Sequence, residues 1–292
     1  MSLPKVSIVI PSYKPEHFEQ CLRSAIGQTY PNTEILVSDN CPTEAIREIC
    51  ARFPGVIYQR NTAIREQNVI STLFSGKGDL IKPLFDDDLL HPFCVERMVS
   101  VALEHPDVQL VFSASQVIDA RNLRVETRRP FQVSGSMSGL AMQRDVTLGM
   151  RNFIGEFTSI MFRRAKLWEI GPHRLFAVGP HDCSPGLADL AAYINLAAGG
   201  SAFYIDEELS YFRRDPVLQS NSNPNANPNF GYCFSDYIDL LPAAHATGVV
   251  STQELLAVQD QVHGVYLRLR EVFPQIPQSY ERYLAYIQPL KD

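Results

Sequence analysis

The chain is predicted to adopt an α/β fold with a mostly parallel central sheet, flanking helices and a helical C-terminal extension. Three observations predict it. Short runs of apolar, β-branched residues alternate with segments whose apolar residues recur every three to four positions. The runs are apolar throughout, as is typical of strands buried on both faces of a parallel sheet. A length of 292 residues, 45% of them hydrophobic, is sufficient for a large core.

The alternation is clearest in the first third of the chain. Its predicted strands cover residues 6–10, 34–38, 56–59 and 80–85. The predicted helices between them cover residues 15–27, 43–53 and 64–75. Crossovers between parallel strands are almost always right-handed, so the carboxyl ends of the four strands meet at one rim of the sheet. Ligands of open α/β sheets bind at that rim, and we expect the functional residues there.

The remainder of the chain is less regular. Further helices are predicted at residues 92–105, 137–150 and 185–198. Further strands are predicted at residues 108–118, 124–127, 158–162, 202–205 and 209–212. The polar, proline-broken segment at 219–229 is interpreted as a lid or a linker. The helices predicted after it, at residues 231–246, 252–272 and 277–287, would pack onto the domain or onto a second subunit.

The composition argues against several classes of protein. A net charge of −6 disfavours a nucleic-acid binder. There is no run of about 18 apolar residues, and the first residues resemble a strand more than a signal peptide. The six cysteines form no CxxC pair, which indicates reduced thiols in a cytoplasmic protein. The histidines show no HxxxH spacing, which argues against a zinc site.

Three consecutive carboxylates, Asp86, Asp87 and Asp88, follow the predicted strand at 80–85. Adjacent like charges at the end of a buried strand need a cation or a ring of hydrogen-bond donors. Carboxylate oxygens favour a hard divalent ion, Mg²⁺ or Mn²⁺, and such ions usually keep a substrate phosphate as a further ligand. The alternative is a solvated acidic turn that caps the next helix.

Several separated motifs, in this order, resemble family 2 glycosyltransferases with the GT-A fold. They are VSIVIPSY at 6–13, EILVSD at 34–39, Asn68, GDLI at 78–81, DDLLHP at 87–92, AD at 188–189 and LSYFR at 209–213. The resemblance covers about residues 4–213. This sequence departs from the family pattern at three positions: Asn40 and Phe85 each replace a frequent Asp, and Ala188 replaces the Glu of a Glu-Asp pair.

The resemblance implies transfer of a sugar from a nucleotide-diphospho-sugar, UDP-linked, to an acceptor hydroxyl with inversion. It implies that Asp87 and Asp88 serve a Mg²⁺ or Mn²⁺ ion, Asp87 as the ligand and Asp88 in support. Asp86 would bond the ribose or support the ion. Asp39 would accept a hydrogen bond from the nucleotide base; its alternative is a helix cap.

The remaining donor contacts are assigned in the same way. Tyr13 would stack on the base and Pro11 would shape the rim, although a simple turn would explain both. Asn68 belongs to the nucleotide-binding stretch. Arg65 would reach phosphate, or else form a surface ion pair.

For the acceptor side, the resemblance makes Asp189 the general base, on the helix predicted at 185–198. A carboxylate that only favours the helix N-terminus is the alternative. Asp182 is the second candidate for the base, and it or Glu156 would bind acceptor hydroxyls. His181 is interpreted as a loop histidine rather than a metal ligand.

The predicted domains are a GT-A catalytic domain at 1–215, a linker at 216–230 and a helical extension at 231–292. Within the first, residues 1–118 would bind the nucleotide and 119–215 the acceptor. The expected partners are the nucleotide sugar and a glycan, lipid-linked or protein acceptor in surface glycan synthesis. The expected place is the cytoplasm, including the inner membrane face, and self-association through the last helices stays open. The alternative function is a sugar-nucleotide-binding protein that has lost catalysis.

Overall fold

The computed structural model describes residues 3–215, 227 and 229–291. Its strands, in chain order, are β1 (Val6–Ser12), β2 (Thr33–Asp39), β3 (Val56–Arg60), β4 (Leu80–Pro83), β5 (Leu89–Leu90), β6 (Val108–Ile118), β7 (Arg124–Arg128), β8 (Gly135–Ser138), β9 (Ile160–Arg163), β10 (Ala177–Val178), β11 (His181–Asp182) and β12 (Ser201–Arg213). Its α-helices are α1 (Phe18–Ile26), α2 (Ala45–Cys50), α3 (Glu66–Ser75), α4 (Cys94–Glu104), α5 (Gly139–Leu148), α6 (Arg164–Ile170), α7 (Ala188–Ala197), α8 (Phe230–Ala246), α9 (Thr252–Ala257), α10 (Gln259–Leu269) and α11 (Gln275–Ile287).

By its internal contacts the chain divides into two compact units. The first takes residues up to 137, 154–172 and 200–215; the second takes 138–153, 173–199 and the C-terminal helices. The segments around α5 and α7 therefore group with the C-terminal helices and not with the sheet. The functional division into a catalytic domain at 1–215, a linker and an extension stays a prediction.

The first unit is built on a ten-stranded mixed sheet. Its main path is β3-β2-β1-β4-β9-β6-β12-β5, with β7 beside β6 and β8 beside β12. The four strands at the start of the path are mutually parallel, whereas β9 runs antiparallel to both of its neighbours. The predicted α/β fold with a parallel sheet, flanking helices and C-terminal helices is confirmed.

The parallel part forms because its strands are apolar on both faces. Every residue of β1 is buried, and β1 lies between β2 and β4. Helix α1 packs its buried residues Phe18, Cys21 and Leu22 into the same core. The turn before β4 requires glycine, because a Cβ on Gly78 would lie 2.6 Å from the carbonyl oxygen of Lys5. The burial of apolar side chains on both faces holds this part of the sheet together.

Two predicted elements differ from the structure. The strands predicted at 202–205 and 209–212 are one strand, β12, whose register against β6 shifts between Ile205 and Ser210. The acidic residues between the two predicted strands are typical of a loop. In the structure they belong to β12, at a local irregularity in its pairing with β6. The helix predicted at 252–272 is two, α9 and α10, separated at Val258. The segment predicted as a lid or linker at 219–229 lies outside the described residues except for Asn227 and Asn229.

The second unit has its own apolar core. Helices α8 to α11 contribute the buried residues, among them Leu241, Leu255, Val262 and Tyr283. Helix α9 begins with a capping box, in which the Ser251 side chain and its partner three residues later bond each other's backbone N–H groups. Among the described residues, no helix combines the length and the hydropathy that a membrane span needs.

Candidate active site

The rim of the parallel strands gathers the predicted donor-site residues of the first unit. Ser12, at the end of β1, is paired in register with Asp39, at the end of β2. Pro11 is buried beside them. The chain then turns outward, and the Tyr13 side chain is 56% exposed. An aromatic ring in that position is available to a flat ligand.

Asp86 is held by the backbone that follows β1. The N–H groups of Tyr13 and Lys14 each donate to its Oδ2 atom at 2.7 Å. Burial and the neighbouring Asp87 raise the pKa of Asp86 to about 6, although Lys14 and the two N–H groups act in the opposite direction. The carboxylate therefore anchors the turn of β1 beneath the exposed Tyr13 ring.

Asp87 carries the site's direct contact with a side-chain cation. The Lys14 ammonium donates to its Oδ2 atom at 2.7 Å. Burial alone would lower the pKa of Lys14, but the charges of Asp87 and Asp86 outweigh burial and raise it. Asp87 is 9% exposed, the most accessible of the three consecutive carboxylates. It is the carboxylate that a ligand from solvent would meet.

Asp88 lies deeper and is fixed by the 3-10 turn that precedes β9 and by the end of β12. The Thr158 hydroxyl donates to Oδ2, and the backbone N–H of Arg213 donates to Oδ1 at 2.9 Å. Burial and the charge of Asp87 raise the pKa of Asp88 well above its usual range. The 1% exposed Arg213 side chain also bonds the backbone carbonyl of Asp87 at 2.7 Å. Asp88 therefore positions the turn and does not face solvent.

Within residues 3–215, 227 and 229–291, the three carboxylates have fewer positive charges beside them than their own number. Lys14 contacts Asp87, but the Arg213 guanidinium bonds carbonyl and amide oxygens instead of the carboxylates. Burial lowers the pKa of Arg213, and it lowers the pKa of Lys82, buried beside Thr158, to about 8. A divalent cation would relieve this repulsion, and carboxylate oxygens are the donors that Mg²⁺ and Mn²⁺ prefer. The residues present therefore fit such an ion.

Asp39, in contrast, is fully partnered and has no exposed surface. The N–H of Cys41 donates to Oδ1 at 2.7 Å. The Tyr58 hydroxyl and the Arg60 guanidinium each donate to Oδ2, also at 2.7 Å. The carboxylate thus ties the ends of β2 and β3 together. A bound base would have to share Oδ2 with these donors, so base binding by Asp39 stays a prediction.

Asn68 and Arg65 lie at the start of α3 but differ in environment. Asn68 is buried, and its amide bonds Ser38, Asn40 and Asn61. It therefore joins α3 to the end of β2. Arg65 is exposed and has φ 50° and ψ −129°, a strained conformation for a residue other than glycine. The Arg65 side chain is therefore available at the surface of the unit.

The predicted acceptor-side residues fall in both units. Glu156, in the first unit, is paired with Arg128. Asp189, in the second unit, lies in the first turn of α7, where Leu190 N and the Asn152 side chain donate to it at 2.8 and 3.3 Å. Asp182 accepts from the backbone N–H and hydroxyl of Ser184. Asp182 thus closes a local turn, and Asp189 lies at the helix N-terminus, where a negative charge is favoured.

Sequence reasoning missed three residues of the first-unit site: Lys14, Thr158 and Arg213. Lys14 directly follows the motif at 6–13, which is predicted to end at the same rim as Asp86–Asp88. Its proximity to these carboxylates could therefore have been predicted. Thr158 and Arg213 lie 70 and 125 residues from Asp88. Their contacts depend on the pairing of β9 and β12 with the rest of the sheet, which residue spacing does not encode.

Curated relatives match parts of the chain. The protein MT1568 of Mycobacterium tuberculosis is 28% identical over 74% of this chain and 69% of its own length. The glycosyltransferase GlyA of Streptococcus pneumoniae is 42% identical over 35% of this chain. The chain covers only 15% of GlyA, and 13% of the y4gI protein of Sinorhizobium fredii.

The fold and the family are both recognisable. The crystal structure of residues 1–349 of S. aureus TarS in complex with UDP-GlcNAc superposes with a TM-score of 0.59, at 14% identity, over 97% of this chain and 89% of that one. This likeness shows that the fold is GT-A. The family model "Glycosyl transferase family 2" matches residues 7–171, more than half of the chain. The protein therefore belongs to glycosyl transferase family 2.

Proposed function

We propose that the protein transfers a sugar from a nucleotide-diphospho-sugar, UDP-linked, to an acceptor hydroxyl with inversion and with the help of a divalent metal. One observation carries the proposal. Among the residues that the structure describes, three consecutive buried carboxylates at the ligand-binding rim have one contacting side-chain cation, Lys14. TarS, which shares the fold, has been solved with UDP-GlcNAc and with UDP.

In this proposal Asp87 is the metal ligand, and Asp88 supports it from its bonds to Thr158 and Arg213. Bound Mg²⁺ or Mn²⁺ would act as a Lewis acid toward the departing diphosphate. Asp86 holds the turn on which Tyr13 stands, so that the ring faces the nucleotide. The role of the chain's own groups here is to hold and orient the donor before the sugar leaves.

The other donor contacts have separate supports. Asp39 accepts the base N–H and Pro11 limits the depth of the rim. Arg65 is exposed at the start of α3, and its guanidinium would bind a phosphate of the donor. Asn68 acts through the backbone at the end of β2, because its amide is bonded there.

On the acceptor side, Asp189 takes the proton from the acceptor hydroxyl while its oxygen attacks the anomeric carbon and the bond to the diphosphate breaks. A negative charge is favoured at a helix N-terminus, and a base acts in its ionised form. Asp182 and Glu156 would bind acceptor hydroxyls, with Asp182 as the second candidate for the base. The acceptor is a glycan, a lipid-linked sugar or a protein in surface glycan synthesis, and the reaction takes place in the cytoplasm.

The proposal is tested by thermal shift with UDP in the presence of Mn²⁺ or a chelator. Ligand at 100 times its Kd stabilises by about 2.7 kcal/mol, which this measurement detects. We expect Asp87→Ala to abolish the metal-dependent part of the shift. Asp79→Ala, at the opposite end of the same strand and exposed, should bind as the wild type does.

Two outcomes would contradict the proposal. If Asp87→Ala keeps its metal dependence, the ion is bound elsewhere. If the wild type binds UDP-sugars with Mn²⁺ but neither transfers nor hydrolyses them, the chain is a sugar-nucleotide-binding protein that has lost catalysis.

A further inference from the structure

A histidine, a cysteine and an aspartate converge in the second unit, and they include His181, which the sequence alone suggests is a loop histidine. The ligand atoms of His181, Cys183 and Asp236 all lie within 4.8 Å of one another. Cys183 and Asp236 are buried, with 0% and 2% of their surface exposed, while the His181 side chain is 22% exposed. The cluster is therefore buried at Cys183 and Asp236 and accessible to solvent at His181.

We propose that His181, Cys183 and Asp236 form a zinc-binding site. A thiolate, an imidazole and a carboxylate are the three ligand types that Zn²⁺ takes in proteins. Mg²⁺ and Mn²⁺, which prefer oxygen ligands, do not suit such a set. Three protein ligands leave the fourth tetrahedral position to water or to another group that enters beside His181.

The spacing of the ligand atoms suits a tetrahedral ion. At bonds of about 2.0–2.1 Å, two N or O ligands of tetrahedral zinc lie about 3.3 Å apart, and a sulfur lies about 3.6 Å from either. His181 Nε2 and Asp236 Oδ1 are 3.0 Å apart. The sulfur is within 4.8 Å of both.

Rigid elements present the three ligands. His181 begins β11, which pairs with β10, and the N–H of Cys183 bonds the carbonyl of Phe176. Asp236 lies on α8, and its second oxygen accepts from the N–H of Leu187 at 2.8 Å. That oxygen stays bonded when the first one turns to a metal, so the outer contact would orient the ligand.

The surroundings favour a cation. The carboxylates of Asp236, Asp182 and Asp189 act on the Cys183 sulfur as neighbouring negative charges. These groups make the position of the sulfur negative, and coordination to a metal deprotonates a thiol outright. The Sγ atom of Cys183 makes no hydrogen bond within the described residues, whereas that of Cys233 donates to the carbonyl of Gly186.

A bound zinc would hold the segment that leads into α7. The segment runs from His181 to Leu187, and its end is already bonded to Asp236. Helix α7 begins at the next residue, Ala188. We therefore expect the metal to stabilise the second unit, and this does not depend on whether Asp189 is the base of the proposed transfer.

The test uses the full chain, stripped of metal and titrated with Co²⁺ in excess Mg²⁺, which saturates carboxylate sites. Cobalt bound to a thiolate gives a sulfur-to-metal charge-transfer band that oxygen ligands cannot produce. We expect one such cobalt per chain, displaced by Zn²⁺. Cys183→Ser should abolish the band, and His181→Gln should weaken binding at least about 10-fold. Cys233→Ser is the matched control and should keep the band.

Several results would overturn the proposal. The wild type without a charge-transfer band would mean that His181 and Asp236 form an ion pair only. A band that survives Cys183→Ser, or is lost in Cys233→Ser, would assign the thiolate elsewhere. Should Cys183→Ser fail to fold, His181→Gln decides alone, because its side chain is partly exposed; unchanged Co²⁺ affinity in that variant contradicts the site.

Discussion

Two groups of buried acids, at the ends of the two strands that flank β1, differ in how the protein partners them. Asp39 receives three hydrogen bonds of 2.7 Å, two of them from the side chains of Tyr58 and Arg60. Asp86–Asp88 together have one contacting ammonium within the described part of the chain, from Lys14. The comparison teaches that burial of a carboxylate does not itself indicate function. A shortage of cations beside buried acids is a better indication of function. An uncompensated buried charge is unfavourable, and a bound cation would remove that cost.

Glu254, in the second unit, is a further acid for this comparison. Glu254 completes the capping box of α9 with Ser251 and pairs with Arg144. Hydrogen bonds from Ser251, then the pairing with Arg144, lower the pKa of Glu254 to about 2. Burial instead raises the pKa of Asp86 to about 6. The two acids therefore have opposite effects on the pH dependence of stability.

The largest expected effect concerns Asp189. Asp189→Asn keeps the size of the side chain but removes the base, so kcat should fall by on the order of 10²–10⁴. Donor binding and the melting temperature should stay close to wild type. Asp182→Asn is the matched variant, since Asp182 is the second candidate for the base and closes a turn with Ser184. If Asp182→Asn abolishes transfer while Asp189→Asn retains it, the base lies on the preceding segment.

The next effect tests whether the partnered acid also binds a ligand. Asp39→Ala should weaken UDP by about 1.5–3 kcal/mol, the range for a hydrogen bond to a charged group. Affinity for manganese pyrophosphate, which has no base, should hardly change. Calorimetry on Arg60→Met supplies the control, because that variant removes the ion pair and keeps the carboxylate. Equal loss of UDP affinity in Arg60→Met would mean that Asp39 acts only by holding the strand ends.

A smaller effect concerns the stability of the metal-free protein. In chelator, Asp86→Asn should raise the free energy of unfolding by about 1–2 kcal/mol at pH 7, because it removes a buried charge and keeps an acceptor for Tyr13 and Lys14. The folded pKa of Asp86 lies above its ordinary value, so the wild type loses stability as pH rises from about 4 to about 6. The advantage of the variant should therefore be absent at pH 4 and complete above pH 6. Denaturation at these pH values that shows Asp86→Asn to be less stable throughout would contradict the charge imbalance.

The smallest effect concerns Glu254, and here the substitution should lower the stability of the protein and not raise it. Glu254→Gln should lower the melting temperature by about 2 °C at pH 7, the size expected for a helix cap in a chain of this length. The folded pKa of Glu254 lies below its ordinary value, so its contribution is present above about pH 4.5 and is lost as pH falls toward 2. The melting difference between the two proteins should shrink over that interval. A difference that grows on acidification would show that the carboxylate is not held by donors.

The sequence was sufficient for the order and type of most elements. The apolar runs at 6–10 and 108–118 and the helix predicted at 64–75 match β1, β6 and α3 closely. A strand buried on both faces leaves an apolar run in the sequence, and a helix leaves a period of 3.6. The same reasoning located Asp39 and Asp86–Asp88 at one rim, since right-handed crossovers align the ends of parallel strands. Family membership followed from motifs in the same order along the chain.

Only the tertiary structure decided how these acids are partnered. Arg213 and Thr158 meet Asp88 because β12 and β9 enter the sheet, and His181 meets Asp236 across 55 residues. Likewise, α5 and α7 group with the C-terminal helices rather than with the sheet. Local periodicity records which face of a segment is apolar, but not which distant segment covers it. Which distant segment covers a face depends on the packing of the whole chain. The same packing determines which carboxylates lack a neighbouring cation.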